Sequence, residues 1–339
     1  MKSIKIKLLV LLLLLATNLF SQPKIIFDTD IGGDADDLGA LAMLHTFIKR
    51  GDCELLAIMS WTTEIYAVPA IDAINRFYLH PNIPIGTRKD ATYTSEASYN
   101  KIIADNFESE LTYNDVPDAV KLYRKILSNA ADSSITIVTV GPLMNIQNLI
   151  KSGPDPYSPL SGSELISKKV KEFVMMGGHF PKGKNEWNFN GNMPGVTKFV
   201  LNELKVPITF SGFELGSQIK TGAIFNSIDD QTPLYQGFLY YSEHAPWIKA
   251  QFKGQILDNS SFDQTAVLYA VKGGVGTYWD KIGGGVCEAD DTGGNKWVKK
   301  EDSNQAYLKL KEAPEVMATL IQVIMLNNLD EFINMGDNK

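Results

Sequence analysis

The stretch that most limits the fold is 135–140, ITIVTV, a continuous run of apolar and β-branched residues. A strand with one wet face alternates apolar with polar residues. This run does not, so both of its faces must be covered. Shorter runs of the same kind recur at 24–27, 55–59, 83–85, 173–176 and 208–210. Between them lie amphipathic stretches whose apolar residues repeat near the 3.6 period. Helices are expected over 38–49, 69–78, 120–130 and 143–150, and a last one over 314–326. Strand–helix alternation of this kind predicts an α/β fold, a doubly wound and mostly parallel mixed sheet with a Rossmann-like core. Past residue 270, glycines at 273–276, 283–285 and 293–294 predict turns between C-terminal antiparallel strands.

Ligands of such sheets bind beyond the carboxyl ends of the strands. Four of the predicted strands end in polar or glycine-rich segments: 28–37, GPLMN at 141–145, GGH at 177–179 and SGFE at 211–214. All four should open on one rim, where glycine lets backbone approach a ligand closely. The first is the densest, with five aspartates within FDTDIGGDADD at 27–37. Carboxylates a few Å apart repel, and in a low-dielectric site they need a counter-charge to stay ionised. One aspartate here would read as a helix cap, and Asp36 and Asp37 suit a first helical turn. Five behind a buried strand point instead to a hard divalent cation. A carboxylate-rich site in a chain with 4 His and 2 Cys suits Ca²⁺ or Mg²⁺ rather than Zn²⁺. An EF-hand does not fit, because the twelfth position from Asp28 is Gly39, where a bidentate Glu is needed. A Mg²⁺-dependent phosphatase with a strand-end Asp-x-Asp fits FDTD, although a Ser or Thr is then expected soon after the second Asp. No GxxxxGK[ST] phosphate loop is present.

The N-terminus has the shape of a secretory signal peptide: Lys2, Lys5 and Lys7, a thirteen-residue, nearly all apolar run at 8–20, then Ser21. The run is shorter than the roughly 20 apolar residues of a spanning helix. The expected organisation is a signal peptide at 1–21 and one domain at 22–339, exported to the periplasm or secreted. Loss of the three signal lysines leaves 29 Lys+Arg against 39 Asp+Glu, a net charge of −10. That balance favours neither nucleic acid nor an anionic membrane as partner. Cys53 and Cys287 are too few for a disulfide framework.

These motifs together resemble the calcium-dependent nucleoside hydrolases, the inosine–uridine-preferring group and its relatives. The hallmark of that family is Asp-x-Asp-x-x-x-Asp-Asp behind the first strand. It stands here as Asp28-Thr29-Asp30 followed by Asp36-Asp37, with two extra residues between. VGPLMN at 140–145 resembles the family's Gly-Pro-Leu-Thr-Asn turn. MMGGHF followed by EWNFN, within 175–190, resembles its Met-Gly-Gly and Glu-Phe-Asn segments. FDQTAVLYAV at 262–271 resembles its late helix that opens on a key Asp. The order matches, and the wording is similar to an exported bacterial branch.

The resemblance implies a nucleoside hydrolase-like fold with one Ca²⁺ at the rim. Asp30, Asp37, the backbone carbonyl of Met144, and Asp263 would ligate the ion. Asp36, Glu186, Asn188 and Asp263 would bind the ribose, and Asp30 would be the general base. Asp263 also suits a helix N-cap. The implied reaction is hydrolysis of the N-glycosidic bond of a small-molecule ribonucleoside to base and ribose, by a homo-oligomer as is common in the family. A non-catalytic nucleoside- or sugar-binding protein is the other reading that keeps the ion. Asp28 and the extra Asp34 are further site candidates. Phe262 stands where many members have a base-protonating His, which leaves His179 as a candidate acid, and Tyr240, Tyr241 and His244 as weaker ones on an expected lid helix. In SWTTEIYA at 60–67, Trp61 or Glu64 replaces the Asn that the family often places near the substrate.

Overall fold

The computed structural model describes residues 22–228 and 231–326; the expected signal peptide at 1–21 lies outside them. The first half of the chain runs β1 (Lys24–Thr29), α1 (Asp36–Arg50), β2 (Glu54–Ser60), α2 (Ala67–Phe77), β3 (Ile85–Thr87), α3 (Asn100–Asn106), α4 (Ala119–Asn129), β4 (Ile135–Thr139) and α5 (Met144–Lys151). It continues as α6 (Gly162–Lys169), β5 (Val170–Met176), β6 (Lys182–Gly183), α7 (Trp187–Asn190), α8 (Val196–Glu203), β7 (Ile208–Ser211) and α9 (Phe213–Gly216). The last part holds β8 (Lys220–Thr221), α10 (Pro233–His244), β9 (Asn259–Ser260), α11 (Phe262–Lys272), β10 (Trp279–Ala289), β11 (Asn295–Lys299), β12 (Gln305–Leu310) and α12 (Pro314–Leu326).

Ten strands form one sheet in the order β3-β2-β1-β4-β5-β7-β12-β10-β11-β6. The pairs from β3 to β12 are parallel, and those of β10 with β12, of β10 with β11 and of β11 with β6 are antiparallel. The chain winds outward from β1 in one direction through β2 and β3, and in the other through β4 and β5. The crevice between β1 and β4 is therefore a topological switch point, where such sheets bind ligands.

The apolar runs are buried on both faces, as expected. Ile25 and Phe27 point into one core and Ile26 into the other. In β4, Val138 faces the first core, while Ile135 and Ile137 face the second. The first core lies under α1, α2, α10 and α11, the second under α4, α5, α6 and α8. Cys53 and Cys287 are free, buried, and in different cores.

Two expectations shift. The third strand begins at Ile85 rather than at 83, because Pro84 has no N–H for the ladder and offers only its carbonyl, to Ile58 N–H at 2.9 Å. The glycines at 283–285 do not make a turn. They lie inside β10, where the pairing with β12 slips between Ile282 and Gly285 and Gly284 takes φ 71°. This is a bulge, at which only glycine is free of strain. Gly293 and Gly294 do form the turn between β10 and β11.

Candidate active site

A cavity of about 640 Å³ opens on the carboxyl rim of the sheet. It collects residues from beyond β1, β2, β4, β5 and β7, so the strand ends singled out in the sequence do share one mouth. Seven carboxylates line it: Asp30, Asp34, Asp36, Asp37, Glu64, Glu186 and Asp263. Among the described lining residues there is no Lys or Arg, and His179 is the one imidazole.

Two helix starts build the acidic centre. Asp36 and Asp37 occupy the first turn of α1, whose residues are buried from Asp36 to Phe47. Asp263 lies in the first turn of α11, one residue inside the helix rather than at its N-cap, which is Ser261. The two helices pack against each other. Carboxylate oxygens of Asp36, Asp37 and Asp263 consequently come within 4.8 Å of one another, all three side chains buried. Burial first, and then repulsion from neighbouring aspartates, Asp30 and Asp34 among them, push all three carboxyls well above the usual carboxylate range. Partly positive helix N-termini ease the crowding, and Thr29 donates its hydroxyl to Asp37 Oδ1. Three converging carboxylates, with no ammonium or guanidinium among the described lining residues, form an oxygen-only donor set that fits a hard divalent cation.

Asp30 lines the same cavity but stands outside that group of three. Its Oδ2 accepts a hydrogen bond from Trp187 Nε1 at 2.8 Å. Burial raises its carboxyl to about 7, the indole opposes the rise, and Asp34 and Glu186 add to it. Gly141 explains how the chain gets so close. A methyl group at that position would lie 2.9 Å from the Asp30 backbone nitrogen, Cβ and Oδ1. The glycine of VGPLMN thus lets the end of β4 pass against Asp30.

Asp28 does not reach the cavity. It is buried, accepts from Tyr123 Oη at 2.7 Å and from Asn145 Nδ2 at 3.1 Å, and is raised to about 7 by burial. Asp34 accepts from Ala35 N–H at 2.7 Å and from the Asn259 amide, which ties the two-residue insertion to β9. Met144 opens α5 and is not among the lining residues. Glu186 caps α7. Its oxygens accept N–H groups of Gly178 at 2.8 Å, Phe189 at 2.9 Å and Asn188 at 3.1 Å. Asn188 donates to the Val140 carbonyl at 2.8 Å and the Met176 carbonyl at 3.2 Å, fastening α7 to the ends of β4 and β5.

The cavity walls are aromatic. Trp61 and Phe262 are in them, as is Glu64, which accepts from Asn100 Nδ2 at 2.9 Å. Phe262 lies 4.9 Å from Phe213, ring centre to ring centre. Tyr240, Tyr241 and His244 are on α10 but do not line the cavity. Tyr241 is buried against Asn259, Tyr240 donates to the Glu96 carbonyl at 2.6 Å, and His244 Nδ1 meets the Tyr240 carbonyl at 3.0 Å. Sequence reasoning passed over Tyr93, Trp187 and Trp247, which also line the cavity. Only Trp187 carried a signal, a bulky aromatic inside the EWNFN motif.

The family described as "Inosine-uridine preferring nucleoside hydrolase" matches residues 25–320. No curated protein was found to match the sequence. Among solved structures, a plant nucleoside hydrolase, the PpNRh1 enzyme, is similar with a TM-score of 0.65 and 15% identity over 90% of this chain and 99% of its own. The type III effector protein XopQ, solved in complex with adenosine diphosphate ribose, is similar with a TM-score of 0.61 and 11% identity over 91% of this chain and 95% of its own. The effector protein XOO4466 also has a TM-score of 0.61, with 12% identity and the same coverage. At these identities the three share the fold. The match over 25–320 takes in all four motifs and both helix starts that make the acidic centre, and by it this chain belongs to the inosine-uridine preferring nucleoside hydrolase family, as an N-glycosyl hydrolase.

Proposed function

We propose that this chain hydrolyses the N-glycosidic bond of unphosphorylated ribonucleosides to free base and ribose, with Ca²⁺ as its ion and Asp30 as general base. The observation that carries the reading is the meeting of Asp36, Asp37 and Asp263 in an otherwise aromatic cavity at the sheet switch point. Those three carboxylates would hold the ion, with Asp30 and the Met144 carbonyl as the further ligands that the resemblance assigns. Bound there, Ca²⁺ would supply Lewis acidity toward water and a grip on the ribose diol.

The remaining work falls to side chains. Asp30 takes the proton of the attacking water, and the Trp187 N–H keeps its carboxylate aimed into the cavity. Glu186 and Asn188, both pinned by backbone partners, offer fixed edges to the ribose hydroxyls. Positive charge grows on the sugar as the bond breaks, as in glycoside hydrolysis, and the ring of carboxylates stabilises it. Trp61 and Phe262 give a planar base something to stack on. A cavity of about 640 Å³ has room for a whole nucleoside. Its acidic lining opposes a phosphorylated one. We place the activity outside the cytoplasm, since residues 1–21 read as an export signal.

The test is release of free base from inosine, uridine, adenosine and cytidine, with Ca²⁺, with Mg²⁺ and with a chelator. Base release supported by Ca²⁺ and abolished by chelator is expected. Binding of a nucleoside without base release, or phosphate release from nucleotides, would overturn the reading.

A further inference from the structure

We propose that His179 and Glu214 form the leaving-group acid of this site: His179 Nε2 hands a proton to the departing base, and Glu214 holds the ring by Nδ1. The proposal rests on the hydrolase reading above and supplies the half of the reaction that Asp30 cannot. A purine or pyrimidine anion is a poor leaving group, so it must gain a proton as the bond to C1′ breaks. A carboxylate that has just taken a proton from water is not placed to return it across the ribose in the same step.

His179 follows β5 and Glu214 lies in α9, so two separate strand ends supply the pair. His179 Nδ1 lies 2.8 Å from Glu214 Oε1. Glu214 is itself fixed, its Oε2 accepting the Phe180 N–H at 2.9 Å. The His179 backbone is clamped at both ends by Asn295, N–H to Oδ1 at 2.8 Å and C=O from Nδ2 at 2.7 Å. The ring packs on Phe213 at 4.8 Å, and Phe213 on Phe262 at 4.9 Å. A base laid along that row has the imidazole at one end and the acidic centre, starting at Asp263, at the other. Glu214 meets the imidazole at Nδ1, which leaves Nε2 as the ring nitrogen for the base.

The step balances. The C1′–N bond breaks, and its electron pair stays on the base nitrogen, which takes the proton from His179 Nε2. The water oxygen bonds to C1′, and its proton passes to Asp30. His179 is left neutral with its Nδ1–H still on Glu214, and solvent resets both groups.

The experiment compares two leaving groups. A ribonucleoside such as inosine or uridine needs the proton; 4-nitrophenyl β-D-ribofuranoside leaves as a stable phenolate and does not. In the full chain with Ca²⁺, His179→Gln is expected to lower kcat/KM on nucleosides by about 10²–10⁴-fold. The nitrophenyl riboside should change by less than about threefold, which also reports a folded site. Glu214→Gln is expected to lower nucleoside kcat/KM about tenfold. It should leave the nitrophenyl riboside within about threefold, because only the leaving group that needs a proton depends on how the ring is held. Equal losses on both substrates, or none on either, would overturn the proposal. A wild-type protein that cleaves the nitrophenyl riboside but no nucleoside overturns the acid alone. One that cleaves neither overturns the hydrolase reading and the acid together.

Discussion

Asp30 shares the repulsion of its acidic neighbours, but its side chain accepts a hydrogen bond from an indole. Asp36, Asp37 and Asp263 bring their oxygens within 4.8 Å of one another, whereas Asp30 stands outside that group with Oδ2 on Trp187 Nε1. This division of labour is what a base beside a cation requires. Asp30→Ala is therefore expected to give a folded protein, by far-UV circular dichroism, with nucleoside kcat/KM reduced by at least about 10²-fold. Retained base release would remove Asp30 from the role. Trp187→Phe keeps the ring and removes only the N–H. A hydrogen bond to a charged group contributes roughly 1.5–3 kcal/mol, so a fall in kcat/KM of about tenfold or more is expected. An unchanged rate would make Trp187 simple wall. The acidic loop was legible in the sequence because five carboxylates behind a buried strand demand an explanation. Trp187 was not assigned there, because a tryptophan inside a short helix reads as readily as packing.

Helix placement decides whether those residues meet. α1 is legible from its apolar periodicity and α11 from the resemblance of FDQTAVLYAV to the family's late helix, but nothing in either stretch says that their first turns converge. The convergence depends on close approach elsewhere, at Gly216, the last residue of α9. A methyl group there would lie 2.4 Å from the Cα of Phe262, a backbone atom with nowhere to yield. Gly216→Ala should therefore displace the start of α11 and carry Asp263 with it. Overpacking of this kind typically costs about 1–3 kcal/mol. The expected result is a lower Tm together with weaker Ca²⁺ binding by isothermal titration; loss of neither would place the contact outside the site. The other end of α1 carries a pH dependence. His45 is fully buried, and burial, aided by neighbouring His80, pushes its imidazole down to about 3. Unfolded, it would take a proton near 6.5. The unfolded chain then binds more protons, so this contribution to stability is complete above about pH 6.5 and drains away as pH falls toward 3. The slope approaches about 1.4 kcal/mol per pH unit, one proton's worth. Denaturant unfolding at pH 7 and pH 5 should show that loss in the wild type and less of it in His45→Gln. Equal losses in both would assign the slope to other groups. The strand shift at Pro84 and the bulge at Gly283–Gly285 were hidden for a related reason. Glycine and proline mark where a backbone departs from regularity, but not whether it turns or only kinks.

At the scale of the whole molecule, charge and fold work against each other until an ion is present. The sheet brings seven carboxylates to one mouth, and the described residues lining it offer no ammonium or guanidinium in return. Such a cavity should discriminate by charge: uridine is expected to be cleaved and uridine 5′-monophosphate to be cleaved at least about tenfold less well, in a competition assay of base release. The same charge makes the folded state carry a cost that Ca²⁺ removes. Three buried carboxylates held well above their usual range are three groups that would sooner be in water. An ion bound only by the folded state adds stability by mass action, about 2.7 kcal/mol at a hundred times its Kd. For a chain of this size each kcal/mol moves Tm by roughly 2–4 °C. Thermal unfolding should therefore rise by several degrees from chelator to millimolar Ca²⁺, with no substrate present. Asp263→Asn separates this linkage from a general salt effect. Removing one of three repelling charges should raise the Tm of the metal-free protein and erase most of the Ca²⁺-dependent rise. If Asp263→Asn kept the full rise, the ion would be bound elsewhere. If it lowered the metal-free Tm, the carboxylates would not be opposing the fold, and the electrostatic argument for a cation among them would fail.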